Sequence, residues 1–353
     1  MQMHLIIIII FAITALLAFF EDYLKERDKI MILVGYVFIF VFLASTKSIE
    51  NTADALAYED RFYNTDNIVY RLTTEPTFTL LSDLVLAFGG TIVAIFFIYA
   101  VLSIPAKMAI LYKMTPYIYT ALLIYIPVYF ELHDMIQIRV AVAAMFLLAS
   151  LLLLSQKRYL WASLLMLAGI LFHYSAFVYL PFILIGNRKI SLTEKVLIGG
   201  LLPVCFALYL LKLDLLSVIP SILPVLDYKI QGYRESSDKG GWNELYPLYA
   251  NLYYLSKCAM LYLCLFYYEY IVSKHRMAPI LIRLFAASTM FLPAMATLPV
   301  IASRVSDLYG IVDCIVFTFL LYLIEPKYWA RIAIVVIGMY MIVFNILFTE
   351  YFT

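Results

Sequence analysis

The sequence predicts an all-α, polytopic integral membrane protein with about ten to twelve transmembrane helices. Three observations carry this prediction: 65% of the 353 residues are hydrophobic, only 14% are charged, and the mean hydropathy is +0.94. A soluble domain of this size is about a quarter charged, and folding buries only part of a chain's apolar surface. We therefore expect lipid to surround most of the chain. The net charge of +1, without a basic run interleaved with aromatic residues, argues against a nucleic-acid partner.

Apolar runs of membrane-helix length recur along the whole chain. A spanning helix needs about 20 apolar residues, within a range of about 17–25. The third predicted span is long enough to bend at Gly89-Gly90, and the first is expected to remain uncleaved because its basic residues follow it. The predicted spans are 4–20, 30–46, 77–104, 115–130, 137–154, 159–172, 173–186, 194–212, 249–271, 279–300, 307–324 and 330–349.

Basic residues orient these spans. Fourteen of the 25 Lys and Arg residues fall in short connectors, at 21–29, 105–114, 155–158, 187–195, 272–278 and 325–331. Positive charge is enriched in cytoplasmic loops, which places these connectors in the cytoplasm. Two longer segments, 47–76 and 213–248, carry an acidic excess and are expected to be outer loops of a single membrane domain over residues 1–353. The second contains a Gly-Gly pair and is a candidate lid over a cavity.

The stretch GILFHYSAFVYLP, residues 169–181, sets His173 within an apolar run. Basic pairs on both sides predict cytoplasmic ends, so the chain must cross twice between them or dip and return. Each arm has about 14 residues, roughly 21 Å of helix, which is too short for a full span. We therefore predict a short broken pair around 159–186, with His173 at the floor of an outward-facing cavity. The alternative is an interfacial histidine in an aromatic belt.

Charged side chains in apolar runs are costly in a bilayer, at about 2.5–3.5 kcal/mol each on insertion scales. Arg139 and Arg304 lie at predicted outer span ends, and Lys257 lies inside a span, where it is expected to face a cavity. Arginine suits a phosphate or diphosphate because its planar guanidinium binds two oxygens at once. For Arg304, a salt bridge to Asp307 is the alternative. The sequence has no metal-ligand spacing, so phosphate chemistry would depend on the protein's own cations.

Five segments occur in an order that is typical of one family. They are TADALAYEDRFYN, TEPTFTLLSDL, QIRVAVAAMF, LAGILFHYSAFVYLP and SRVSDLYG. Over about residues 45–320 the chain thereby resembles the EpsG-like family of Wzy-type polysaccharide (O-antigen) polymerases. The polar residues that carry the resemblance are Asp54, Tyr58, Tyr63, Glu75, Arg139, His173, Tyr174, Ser175, Arg304 and Tyr309.

The resemblance implies a transferase at the outer, periplasmic face of the bacterial inner membrane, related in architecture to lipid-donor (GT-C-like) glycosyltransferases. The lack of metal-ligand spacing predicts that this transferase is metal-independent. It would join undecaprenyl-diphosphate-linked oligosaccharide repeats, as donor and acceptor, into O-antigen or a related surface polysaccharide. No cofactor is implied. Membrane lipid and a chain-length regulator are the further expected partners.

This chemistry suggests roles for the charged residues. Arg139 and Arg304, with Lys257 as a weaker third, would stabilise the departing lipid diphosphate.

The acceptor hydroxyl must lose a proton, and His173 is the first candidate base because imidazole titrates near neutral pH. Its rivals are Asp54, Asp60 and Glu75, and His173 could instead hydrogen-bond the sugar or the diphosphate. Candidates for stacking on a sugar are Tyr58, Tyr63, Tyr174 and Trp242.

Three other classes share some of these features. An O-antigen ligase would use the same chemistry on another acceptor, but such enzymes usually have a larger late outer domain. A lipid-linked sugar transporter or flippase would also hold intramembrane cations, but it would usually show a two-fold repeat of broken helices, and the sequence has none that we detect. A membrane acyltransferase would also use an arginine and a histidine.

Overall fold

The computed structural model describes residues 2–213, 247–349 and 351–352, and over these ranges the protein is built of helices. The described ranges contain no β-strand, and their β pairing is confined to an isolated bridge between Thr52 and Phe352. The all-α prediction is confirmed.

Within each described range the helices follow one another with short connections. A π-helix, Tyr125–Ile136, lies between α7 and α8, and a 3-10 helix, Tyr174–Tyr179, lies between α9 and α10. In chain order the α-helices are α1 Gln2–Phe20, α2 Glu26–Ser45, α3 Ala55–Tyr63, α4 Ile68–Thr73, α5 Pro76–Ala87, α6 Ile92–Met114, α7 Ile118–Ile124, α8 Ile138–Ser155, α9 Tyr159–Phe172, α10 Pro181–Ile185, α11 Leu192–Leu210, α12 Leu252–Phe266, α13 Tyr268–Lys274, α14 Ala278–Ala294, α15 Pro299–Gly310, α16 Asp313–Val316, α17 Leu320–Leu323 and α18 Tyr328–Phe348.

Membrane-spanning potential is spread over the whole described chain. Six helices in the described ranges are long and apolar enough to cross a membrane, or up to eight if each of two bent helix pairs is one span. Four shorter apolar helices of 10–17 residues accompany them. The polytopic prediction is confirmed, and a count of ten to twelve requires the short helices to be counted as spans.

The chain divides into two compact units, residues 1–186 with 313–353, and residues 187–312. The single membrane domain over residues 1–353 stays a prediction. Of the two predicted outer loops, 47–76 holds the short helices α3 and α4, whereas 213–248, the candidate lid, lies almost entirely outside the described residues.

The predicted broken pair is confirmed. Helix α9 ends at Phe172, and His173 has extended backbone angles (φ −155°, ψ 115°) that no helix accommodates. A 3-10 turn and the short α10 then complete the second arm, which ends at Gly186 with φ +55°. Neither arm is long enough to span by itself.

Three predicted span boundaries are wrong. The chain does break at Gly89-Gly90, where Gly89 has φ +70°, but α6 then continues to Met114 through the predicted connector 105–114. Pro105 sits inside α6, so it does not end that helix. The gap 131–136 between the predicted spans 115–130 and 137–154 is helical too, as the end of the π-helix. The gap 301–306 between the predicted spans 279–300 and 307–324 lies inside α15.

Close helix packing forms the core of the first unit, where α7 contacts α1 and α18. Gly338 in α18 makes the close approach possible. A Cβ atom at this position would lie 2.4 Å from the Leu123 carbonyl oxygen and 2.7 Å from the Phe11 ring. Small residues at such contacts let helix backbones approach in a membrane protein.

Candidate functional site

Three residues from distant parts of the sequence meet in the first unit. One carboxylate oxygen of Glu75 accepts a hydrogen bond from the Arg139 guanidinium, and the other lies 2.9 Å from Nδ1 of His173. The backbone N–H of Tyr174 points to the same oxygen as His173, at 3.4 Å. We call Glu75, Arg139 and His173 the charged cluster.

Helix ends bring the charged cluster together. Glu75 precedes Pro76, which begins α5 and holds the residue before it in an extended conformation. Arg139 is the second residue of α8, and His173 is the extended residue that follows α9. The hydroxyl of Thr77, in the first turn of α5, donates to the Leu171 carbonyl at 2.8 Å and ties α5 to the end of α9.

The charged cluster is largely sheltered from solvent. The side-chain exposures are 5% for Glu75, 11% for His173 and 14% for Arg139. Burial acts to raise the pKa of Glu75, but the hydrogen bond with His173 and the charge of Arg139 outweigh it and lower the pKa to about 2. Glu75 is therefore ionised at neutral pH, and a carboxylate can only accept, so Nδ1 of His173 carries the proton.

Aromatic rings form one wall beside the guanidinium. The Arg139 carbon Cζ lies 5.3 Å from the ring centroid of Tyr58 and 5.8 Å from that of Phe78, within the range of cation–π attraction. Tyr58 is buried in α3, and burial raises the pKa of its phenol, so it stays neutral. The wall keeps the guanidinium in one orientation and limits its hydration.

The second ring nitrogen of His173, Nε2, determines which chemistry the charged cluster can perform. Nε2 is buried and has no hydrogen-bond partner within the part of the chain that the structure describes. When the imidazole is neutral, its proton lies on Nδ1 and Nε2 presents a lone pair. A carboxylate that orients an imidazole in this way is the arrangement of a general base.

Three further predicted site residues of the first unit lie near the charged cluster or on the surface. Asp54 precedes α3 in a left-handed conformation (φ 62°) and affects the pKa values of Lys47 and Tyr58. Tyr63 and Tyr174 are 53% and 40% exposed. Trp242 lies outside the described residues.

Lys257 and Arg304 belong to the second unit. Lys257 is buried in α12, donates to the Ser288 hydroxyl at 2.5 Å and lies over the Tyr253 and Phe285 rings. Arg304 is a partly exposed residue of α15, a helix that begins at Pro299 and forms one bent candidate span with the segment Asp313–Leu323, and its place at a span end stays a prediction. Their part in a diphosphate site stays a prediction.

Sequence reasoning missed a buried ion pair in the first unit. Nζ of Lys107, in α6, lies 2.7 Å from both carboxylate oxygens of Asp134, and neither side chain is exposed. Ser103 and Tyr125 donate to the same carboxylate at 2.7 and 2.5 Å. The sequence pattern places Lys107 in the basic connector 105–114. The available signal was the spacing of Ser103 and Lys107, four residues apart on one helix face.

Lys47 is a second buried cation that the sequence pattern did not reveal. Its ammonium donates to the carbonyl of Met135, near the end of the π-helix, and lies 4.2 Å from the Phe96 ring centroid. Burial lowers the pKa of Lys47 to about 7, although Asp54 and Asp134 act to raise it. Lys47 therefore connects the first outer loop to the segment that leads into Arg139.

Fold and site together define a polytopic, all-helical membrane protein with an oriented imidazole at the meeting point of three helix ends. The chain belongs to the EpsG family, whose model matches residues 31–353. Comparisons with curated proteins and with solved structures give no match. Membership supports a general role of the polysaccharide polymerase type in a multi-pass membrane protein.

Proposed function

We propose that the protein polymerises undecaprenyl-diphosphate-linked oligosaccharide repeat units by glycosyl transfer at the outer face of the bacterial inner membrane, without a metal ion. The observation that supports this most is the Glu75–His173 pair beside Arg139. Glycosyl transfer from a lipid diphosphate requires a base for the acceptor and positive charge for the leaving group, and this cluster holds both kinds of group.

His173 is the general base of the proposal. Its Nε2 takes the proton of the acceptor hydroxyl as that oxygen attacks the anomeric carbon of the donor. Glu75 fixes the ring and stabilises the imidazolium that forms. Glu75 itself suits the role of base poorly, because a carboxylate with a pKa of about 2 has little affinity for a proton.

Arg139 supplies the positive charge. Before reaction its charge is balanced by Glu75, so the cluster with neutral His173 is neutral overall. Proton transfer to His173 leaves the cluster with one net positive charge while negative charge gathers on the departing lipid diphosphate. Arg304 and Lys257 are further candidate ligands for the diphosphate, and sugars would stack on Tyr58, Tyr63, Tyr174 or Trp242.

Purified protein in detergent, supplied with a synthetic lipid-linked repeat unit, tests the proposal directly. We expect a ladder of products, and Arg139→Ala or Arg304→Ala should abolish it while the protein still inserts. The matched control is Arg71→Ala, because Arg71 forms an exposed ion pair with Asp83 in the same unit as Arg139. A full ladder from the Arg139 variant would refute its assignment to the reaction.

The same assay separates the proposal from its alternatives. A transporter makes no longer chains in detergent, where no membrane barrier exists. A ligase produces single transfers only when its own acceptor lipid is added. An acyltransferase is identified by transfer from a labelled acyl donor.

A further inference from the structure

A groove lies at the far end of α8 from Arg139. Helix α8 has 18 residues, which at 1.5 Å per residue places its two ends about 27 Å apart. The groove has a volume of about 470 Å³ and lies between the ends of α6, α8 and α9. Its lining includes Lys113, Ala149, Leu152, Gln156, Arg158 and Leu165.

One half of the groove is basic. Lys113 comes from the last turn of α6, and Arg158 immediately precedes α9. Both side chains are exposed, and neither forms an ion pair with any residue of the described ranges. No acidic residue lines the groove, while Gln156 adds an amide donor. The groove therefore offers two uncompensated cations to a ligand.

The adjoining half is apolar. A neighbouring cavity of about 290 Å³ shares Leu153, Arg158 and Leu165 with the groove and adds Trp161 and Leu164. Trp161 is 55% exposed and Leu164 is 47% exposed. A lining that passes from two cations to leucine and an interfacial tryptophan matches a ligand with an anionic head and an apolar tail.

We propose that this groove binds an anionic phospholipid, with its phosphate between Lys113 and Arg158 and an acyl chain against Leu153, Leu165 and Trp161. Basic clefts between membrane helices are suited to anionic lipid head groups, since each nearby Lys or Arg contributes about 1 kcal/mol. Lys113 lies at the end of α6 and Arg158 lies between α8 and α9, and the sequence predicts that both positions face the cytoplasm. The distance of about one helix length from Arg139 separates this lipid from the proposed donor, so the proposal does not depend on the proposed reaction.

Native mass spectrometry of the purified full chain, with phosphatidylglycerol or phosphatidylcholine added, tests the proposal. We expect one phosphatidylglycerol to bind more tightly than phosphatidylcholine. The double variant Lys113→Gln with Arg158→Gln should weaken phosphatidylglycerol binding about 30-fold. Lys157→Gln is the matched control, because Lys157 adjoins Arg158 but does not line the groove.

Two further measurements complete the test. The charge-preserving variant Lys113→Arg with Arg158→Lys should bind phosphatidylglycerol within a few-fold of the parent protein, which excludes a general folding defect as the cause. Equal binding of the two lipids, or unchanged binding by the double Gln variant, overturns the proposal. Displacement of phosphatidylglycerol by equimolar undecaprenyl diphosphate also overturns it, because it would mark a site for the substrate lipid.

Discussion

Nδ1 of His173 lies 2.9 Å from a carboxylate oxygen of Glu75, a residue 98 positions earlier in the chain. The contact joins the break in the predicted short helix pair to the end of the first outer loop. It fixes which imidazole nitrogen carries the proton, and the proposed chemistry depends on that choice.

His173→Gln should reduce the polymerisation rate about 10²- to 10⁴-fold, the usual contribution of a general base. The measurement is the initial rate of product formation by purified protein in detergent. Glu269→Gln is a suitable control, because Glu269 is in an exposed ion pair with Lys195. Parent-like turnover by the His173 variant would exclude it as the base.

Glu75→Gln should lower the rate by a similar factor for a different reason. A glutamine amide can donate to Nδ1, which moves the imidazole proton to Nε2 and removes its lone pair. Glu75→Asp keeps the carboxylate and should recover part of the activity. Equal rates for the Gln and Asp variants would argue against control of the tautomer.

The pKa of Glu75 also predicts an acid dependence of stability. Because its pKa falls from 4.5 to about 2 on folding, its contribution is fully present above pH 4.5 and is lost as the pH falls toward 2. The contribution is at most about 3 kcal/mol. Thermal inactivation midpoints of the parent and of Glu75→Gln should therefore converge progressively as the pH falls from 5 toward 2. A constant difference between them over this range would contradict the prediction.

Asp134→Asn should destabilise the protein by about 3–5 kcal/mol, because it leaves the Lys107 ammonium buried without a counter-charge. Replacing both partners with apolar residues, as in Lys107→Met with Asp134→Leu, should recover much of this loss. Thermal inactivation in detergent is the measurement. A double variant as unstable as the single one would show that the pair is needed for its shape and hydrogen bonds more than for its charge balance.

Gly338→Ala should destabilise by about 1–3 kcal/mol, since the added methyl group would overlap the Leu123 carbonyl and the Phe11 ring. Gly35→Ala in α2 is the control, because a Cβ there meets nothing within 4 Å. The thermal inactivation midpoint of Gly338→Ala should be lower than that of Gly35→Ala. A neutral effect at Gly338 would mean that α18 can move away from α7 without cost.

Much of the candidate site was predictable residue by residue. Arg139 and His173 were recognisable because the first is charged at the end of an apolar run and the second is ionisable inside one, whereas Glu75 was identified through the family resemblance. Lys107 was misassigned for the opposite reason. It lies in a segment whose basic residues resemble those of a connector. Its ammonium can be buried in a helix only because Asp134, 27 positions later, neutralises its charge.

What the sequence by itself determined is the class of the protein and the positions of two of its breaks. Long apolar runs have no stable alternative to helices in lipid, and Gly89-Gly90 and the short arms around His173 interrupt them locally. The tertiary structure alone decided which charges meet. Glu75 finds Arg139 across 64 residues and His173 across 98, and such pairs depend on how helix ends pack, which no local pattern encodes.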